Sequence, residues 1–170
     1  MKYTDIEIVR AKGQDTEALL EYLKIVGSET DNLSFGAEGV LLEVEEERKY
    51  LDQQTKSLND IQLLAKANGE IIGTASLIRK KKRMSHRAEF GISVKKAWWG
   101  CGVASTLMEY ILEFAKSTGV EQINLEVRSD NKRAIALYKK FGFQKLCTFP
   151  GFFKIDGELI DFDFMNLEIC

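Results

Sequence analysis

Gly100 and Gly102 stand where an apolar strand ending near Val94 gives way to an amphipathic helix running from about Gly102 to Thr118. A helix start points unpaired N–H groups and the positive end of its dipole into the preceding turn, so an anion such as a phosphate is its natural occupant. Glycine in that turn lets a ligand reach the backbone with no Cβ in the way. The main chain of Gly100, Cys101, Gly102, Val103 and Ala104 is therefore a candidate anion cradle. Downstream, Asn131-x-x-Ala134-x-x-Leu137-Tyr138-x-Lys140-x-Gly142-Phe143 sets a phenol on a second helix that could flank the same site. Taken alone, Tyr138 reads better as a residue packing on its helix face than as a proton donor.

The elements that must hold these groups are read from periodicity and turn residues. Ile6 and Ile8 alternate as a short strand, and Leu19, Leu20, Leu23 and Val26 recur at helical spacing after a cap at Asp15 or Thr16, with Gly27 as the expected stop. Residues 28 to 42 are polar and glycine-containing, which predicts a loop, and Glu43 to Ser57 is a charged helix with one wet face. Two apolar runs, Ile61 to Ala67 and Ile71 to Ile78, flank Asn68-Gly69, a strong hairpin signal. Arg79 to Arg83 then connects to a strand over Arg87 to Val94. Gly119 suits the left-handed end of the following helix; Ile123, Leu125 and Val127 form a strand, and Asp130-Asn131 caps a helix that Gly142 ends. Two closing strands, Gln144 to Phe153 and Leu159 to Ile169, turn at Asp156-Gly157.

Composition bounds the function. A chain of 170 residues, 45% hydrophobic, buries a core as one domain over 1–170 without staples. Its 24 Lys+Arg and 26 Asp+Glu nearly cancel, which argues against bulk attraction to nucleic acid. Cys101, Cys147 and Cys170 have neither metal-ligand spacing nor a pairing framework, so reduced thiols and no metal site are expected. No apolar run is long enough to span a bilayer, and Met1 to Asp5 lacks a signal peptide's apolar stretch. A cytoplasmic protein without membrane contact is the expectation.

Together the glycine turn and the Asn131 to Phe143 segment resemble the GCN5-related N-acetyltransferase (GNAT) superfamily, whose members move an acetyl group from acetyl-CoA to an amine. The family signature Gln/Arg-x-x-Gly-x-Gly/Ala falls on Ala97, Trp98, Trp99, Gly100, Cys101 and Gly102, so the leading side chain is absent and the backbone amides carry the cradle. The aromatic before the first glycine looks like the branch holding ribosomal-protein and polyamine acetyltransferases. The resemblance implies an α/β (α+β) fold: a mixed, twisted, seven-stranded sheet with about four helices on its two faces. It also implies acetyl-CoA as donor and a small-molecule or peptide amine as acceptor.

Acyl transfer to an amine makes further demands. An alkylammonium, with a pKa near ~10.4, must lose a proton before it can attack. Glu89, on the strand leading into the glycine turn, is the first candidate base, with a bound water as the alternative. The resemblance implies that strands separate at this point to admit the pantetheine arm, which leaves the N–H groups of Ile92 and Val94 to meet it and to polarise the thioester carbonyl. Tyr138 would protonate the departing thiolate. Asn131 would cap its helix and also contact the donor.

Other conspicuous residues read more plainly. His86 is the sole histidine, so a Cys101–His nucleophile pair has little support, and the Arg79 to Arg83 run reads as a solvated connection. Glu43, Glu45, Glu46 and Glu47 read as a wet helix face, or as an attraction for a cationic acceptor, and Trp98 and Trp99 as packing anchors. Dinucleotide binding is disfavoured because Ser105 stands where a third glycine belongs. A non-catalytic acetyl-CoA-binding module stays open as the alternative function, and a homodimer through Phe149, Phe152, Phe153, Phe162 and Phe164 stays open beside burial of those rings in the monomer.

Overall fold

The computed structural model describes residues 5–169, so the readings of the first four residues and of Cys170 fall outside the described residues. The strands are β1 (Ile6–Arg10), β2 (Asp60–Ala67), β3 (Glu70–Arg79), β4 (Arg87–Val94), β5 (Gln122–Arg128), β6 (Gln144–Ile155) and β7 (Glu158–Glu168). The helices are α1 (Thr16–Glu29), α2 (Val44–Gln54), α3 (Val103–Ser117) and α4 (Lys132–Lys140). One sheet of seven strands in the order β1-β2-β3-β4-β5-β7-β6 joins them, antiparallel except for the β4–β5 pair. This is the mixed sheet and helix count expected.

Strand alternation sorts the side chains into two cores. On one face Leu63, Ala75, Leu77, Phe90, Ile123 and Leu125 pack under Leu107, Met108 and Ile111 of α3. On the other, Leu64 and Ile71 meet Leu19, Tyr22 and Val26 of α1 and Leu51 of α2. A bulge between Ala65 and Lys66 shifts the β2–β3 register near the hairpin. The Asn68-Gly69 and Asp156-Gly157 turns have positive φ at both residues, the geometry whose twist matches a tight hairpin.

Three local expectations are corrected. Gly27 does not stop α1, which continues to Glu29; a Cβ at Gly27 would lie 2.0 Å from the Gly36 carbonyl oxygen, so the glycine serves a close approach of the following loop. Neither Asp15 nor Thr16 caps α1 from its side chain: Asp15 accepts from the Lys12 N–H at 2.9 Å and from Lys66 Nζ at 2.7 Å, tying the helix start to β2, while Thr16 donates to the Gly13 carbonyl at 2.7 Å. Arg79 is not merely solvated. Its guanidinium donates to the Thr118 and Gly119 carbonyls at 2.8 and 3.3 Å, where a cation suits the C-terminal end of α3. No helix among the described residues is long and apolar enough to cross a membrane.

Candidate active site

The sheet opens in its middle. β4 and β5 are paired only at Arg87 with Gln122, Ala88 with Ile123 and Glu89 with Asn124, whereas β4 stays joined to β3 as far as Val94. The Lys80 N–H donates to the Arg87 carbonyl and the Lys95 N–H to the Ile72 carbonyl, both at 2.9 Å, so the odd-numbered residues of β4 serve β3. Alternation then directs the peptide groups of Phe90, Ile92 and Val94 away from β3 and into the gap. The indole Nε1 of Trp99 donates to the Val94 carbonyl at 2.8 Å. From the opposite face, the Tyr22 hydroxyl and Ser93 Oγ lie 3.0 Å apart and pin the free end of β4 to α1.

A cavity of about 700 Å³ runs through this gap, lined from the α3 and α4 side by Gly100, Gly102, Val103, Ala104, Asn131 and Tyr138. On the α1 and α2 side its walls include Phe35, Glu47, Gln62, Thr74 and Glu126. At its mouth Gly100 and Gly102 have φ of 76° and 84°, and a Cβ on either would point into open space. The first intrahelical bond of α3 runs from the Thr106 N–H to the Gly102 carbonyl, which leaves the Val103, Ala104 and Ser105 N–H groups without an acceptor inside the helix. The residues thus fit an anionic ligand seated on backbone amides. The Cys101 N–H is turned into the loop toward the Trp98 carbonyl at 3.3 Å, and the Cys101 side chain is exposed outside the lining.

Tyr138 is only 6% exposed, its ring edge-on to Phe90 at 6.2 Å and tilted against Phe143 at 5.9 Å. Burial raises its pKa, so the phenol stays protonated well past its usual range. The Asn131 side-chain oxygen accepts from the Ala134 N–H at 3.3 Å, capping α4 as expected. Glu89 stands at the last joined position of β4 and β5, outside the cavity lining, and its half-exposed carboxylate pairs with Lys80. The carboxylate that β5 contributes to the lining is Glu126, two residues beyond Glu89's partner Asn124 on the same face of that strand. Its pKa is raised by burial first and by the nearby Glu89 charge second, with Lys80 opposing.

The Acetyltransferase (GNAT) family pattern matches residues 30–143. The chain belongs to this family. The L-amino acid N-acetyltransferase AaaT of Escherichia coli is 37% identical over 106 residues, 61% of this chain and 65% of that protein's own length. The crystal structure of a GNAT-family acetyltransferase from Streptococcus pneumoniae superposes with a TM-score of 0.93 at 32% identity, covering 98% of this chain and 100% of the other. A putative acetyltransferase from Salmonella typhimurium, solved with its cofactor acetyl-CoA, shares the fold at a TM-score of 0.82 and 21% identity, covering 96% of this chain and 93% of that one. GNAT membership accords with the split sheet and with the glycine turn at its mouth.

Sequence reasoning passed over Glu126, Arg128 and Arg133. The polar face of β5 was implicit in the apolar alternation of Ile123, Leu125 and Val127, which leaves 124, 126 and 128 on the other side. Arg133 carried no such signal. Its guanidinium lies 3.8 Å from the Trp99 ring centroid, stacked beside the glycine turn, and it lines the cavity. Among the described residues no group of three or more His, Cys, Asp or Glu is placed to hold a metal.

Proposed function

We propose that the protein is an N-acetyltransferase that moves the acetyl group of acetyl-CoA to a primary amine by direct attack. The observation that carries this reading is the cavity at the β4–β5 gap, lined from both faces of the sheet. Acetyl-CoA supplies an activated thioester; the chain supplies binding, orientation and proton transfer. The free amides of Val103 and Ala104, with Gly100 and Gly102, hold the pyrophosphate, and the gap-facing N–H groups of Ile92 and Val94 orient the pantetheine arm and the acetyl carbonyl. Asn131, its oxygen used in the cap, offers its NH₂ to the same ligand. The amine enters from the α1 and α2 side, loses a proton to Glu126 or to water held by it, and forms the N–C bond as the C–S bond breaks. Tyr138 gives the sulfur its proton. Glu89 serves through Glu126, as the neighbouring charge that raises its proton affinity.

Arg133 answers the absence of a Gln or Arg at Ala97, because it brings a cation to the same glycine turn from α4. Arg133→Ala is expected to weaken acetyl-CoA binding roughly 10-fold by calorimetry, the scale of one charge-assisted hydrogen bond. A loss below about twofold, insensitive to salt, would remove Arg133 from the phosphate site. The activity itself is tested by following thiol release from acetyl-CoA across polyamines, aminoglycosides, amino acids and N-terminal peptides, with mass spectrometry of the amine. Thiol release matched by acetylated amine is expected. Tight acetyl-CoA binding with no transfer to any amine would make the chain a binding module.

A further inference from the structure

The acceptor half of the cavity holds two carboxylates, with Lys80 near enough to Glu126 to offset part of the charge there. Glu47 of α2 and Glu126 of β5 stand on different walls, and neither forms an ion pair among the described residues. Burial raises the proton affinity of both, the mark of carboxylates partly withdrawn from water. Such groups are stabilised when a cation arrives, and more strongly than on an open surface.

The same half withholds what a carboxylate-bearing acceptor needs. Arg128 is the one cation among its described lining residues, and both oxygens of Asp130 hold it: Nε to Oδ1 at 2.7 Å and Nη2 to Oδ2 at 3.0 Å. Its remaining nitrogen is directed at the Asp31 carbonyl at 3.5 Å. That bidentate fork leaves little of the guanidinium for an acceptor's carboxylate. Leu33, Phe35, Phe153 and Phe162 supply apolar wall, which suits methylenes rather than further polar groups.

We propose that the acceptor is an aliphatic diamine, and this rests on the acetyl-transfer reading above. One amino group is acetylated at the gap beside Glu126; the other remains an ammonium held by Glu47, with the alkyl chain along the apolar wall. Arg128, locked by Asp130, positions the wall and discriminates against α- and ω-amino acids. The L-amino acid N-acetyltransferase to which the chain is similar would then differ from it in acceptor charge.

The test is a set of initial rates with acetyl-CoA on linear diamines from putrescine to hexamethylenediamine, each beside the monoamine and the ω-amino acid of matched chain length. The best diamine should exceed its monoamine in kcat/KM by roughly 10-fold, and its ω-amino acid by more. Glu47→Gln should lower the diamine-to-monoamine ratio by roughly the same factor, and Asp130→Asn should raise the relative rate of the ω-amino acid by freeing Arg128. Equal rates for monoamine and diamine, a preference for the amino acid, or a Glu47→Gln effect that leaves the ratio unchanged would overturn the proposal. Acetylation of another amine class with none of these acetylated would also overturn it, while leaving acetyl transfer standing. Acetyl-CoA binding without transfer to any amine would instead remove the transferase reading beneath it.

Discussion

Replacing Tyr138 by phenylalanine is expected to lower kcat by about 100-fold while leaving the dissociation constant of acetyl-CoA within about threefold, a loss typical of a missing general acid. The thiolate leaving the acetyl carbon has an ordinary pKa near ~8.5 and departs more easily with a proton delivered to it. Tyr138 can meet that demand because it lines the cavity with its phenol protonated, although the burial that raises its pKa also makes it a weaker acid than an ordinary phenol. The substitution separates chemistry from packing. Phenylalanine keeps the ring contacts with Phe90 and Phe143, and burial is the sole cause of the Tyr138 pKa shift, with no hydrogen-bonding partner contributing. Removing the hydroxyl therefore strands no partner, and Tm should hold or rise slightly. A fall in kcat of less than about threefold would leave Tyr138 a core residue and hand the proton to water. Because the phenol holds its proton past its ordinary range, wild-type activity should show no decline up to pH ~10 that Tyr138→Phe abolishes.

The sequence made the frame of this site readable and left its polar lining obscure, and the reason lies in the range of the interactions. Asn68-Gly69, Gly119, Gly142 and Asp156-Gly157 end their elements through their own backbone preferences, so local reading suffices. The N–H groups of α3 and the Asn131 cap likewise depend on residues a turn away. Glu89 and Glu126 differ in another way. Which of them meets the cavity depends on where β4 and β5 separate, a long-range matter of sheet assembly: β5 stays paired with β7 from Gln122 to Arg128 while its pairing with β4 ends at Glu89. Arg133 reaches the glycine turn because α4 begins beside Trp99, a contact between residues with a whole helix and strand between them in sequence. Gly27 misleads for the same reason. A glycine at the end of an apolar helical stripe normally marks a stop, whereas here the packed Gly36 carbonyl makes the demand.

The division of labour between the two carboxylates yields the second large effect. Glu126→Gln is expected to reduce kcat/KM about 100-fold near neutral pH and to erase the acidic limb of the pH–rate profile. A base must be unprotonated to act, so activity should rise with pH as Glu126 loses its proton. Burial and the Glu89 charge place that rise above the ordinary carboxylate range. In Glu126→Gln no such limb is left, and the residual rate should follow the acceptor amine's own ionisation toward ~10.4. Glu89→Gln acts in the opposite sense on position and hardly on height. With one negative neighbour gone and Lys80 released to oppose the remaining charge, Glu126 should ionise at lower pH, moving the limb down while the plateau persists. The reverse pattern, a limb lost in Glu89→Gln and kept in Glu126→Gln, would return the base to β4 and require the two strands to separate before Glu89 when the donor is bound. A half-exposed carboxylate held by Lys80 outside the cavity lining is poorly placed for that task. Among the described residues Glu126 forms no ion pair; it lies in the cavity wall and takes its raised proton affinity in some measure from the neighbour that sequence position alone had favoured.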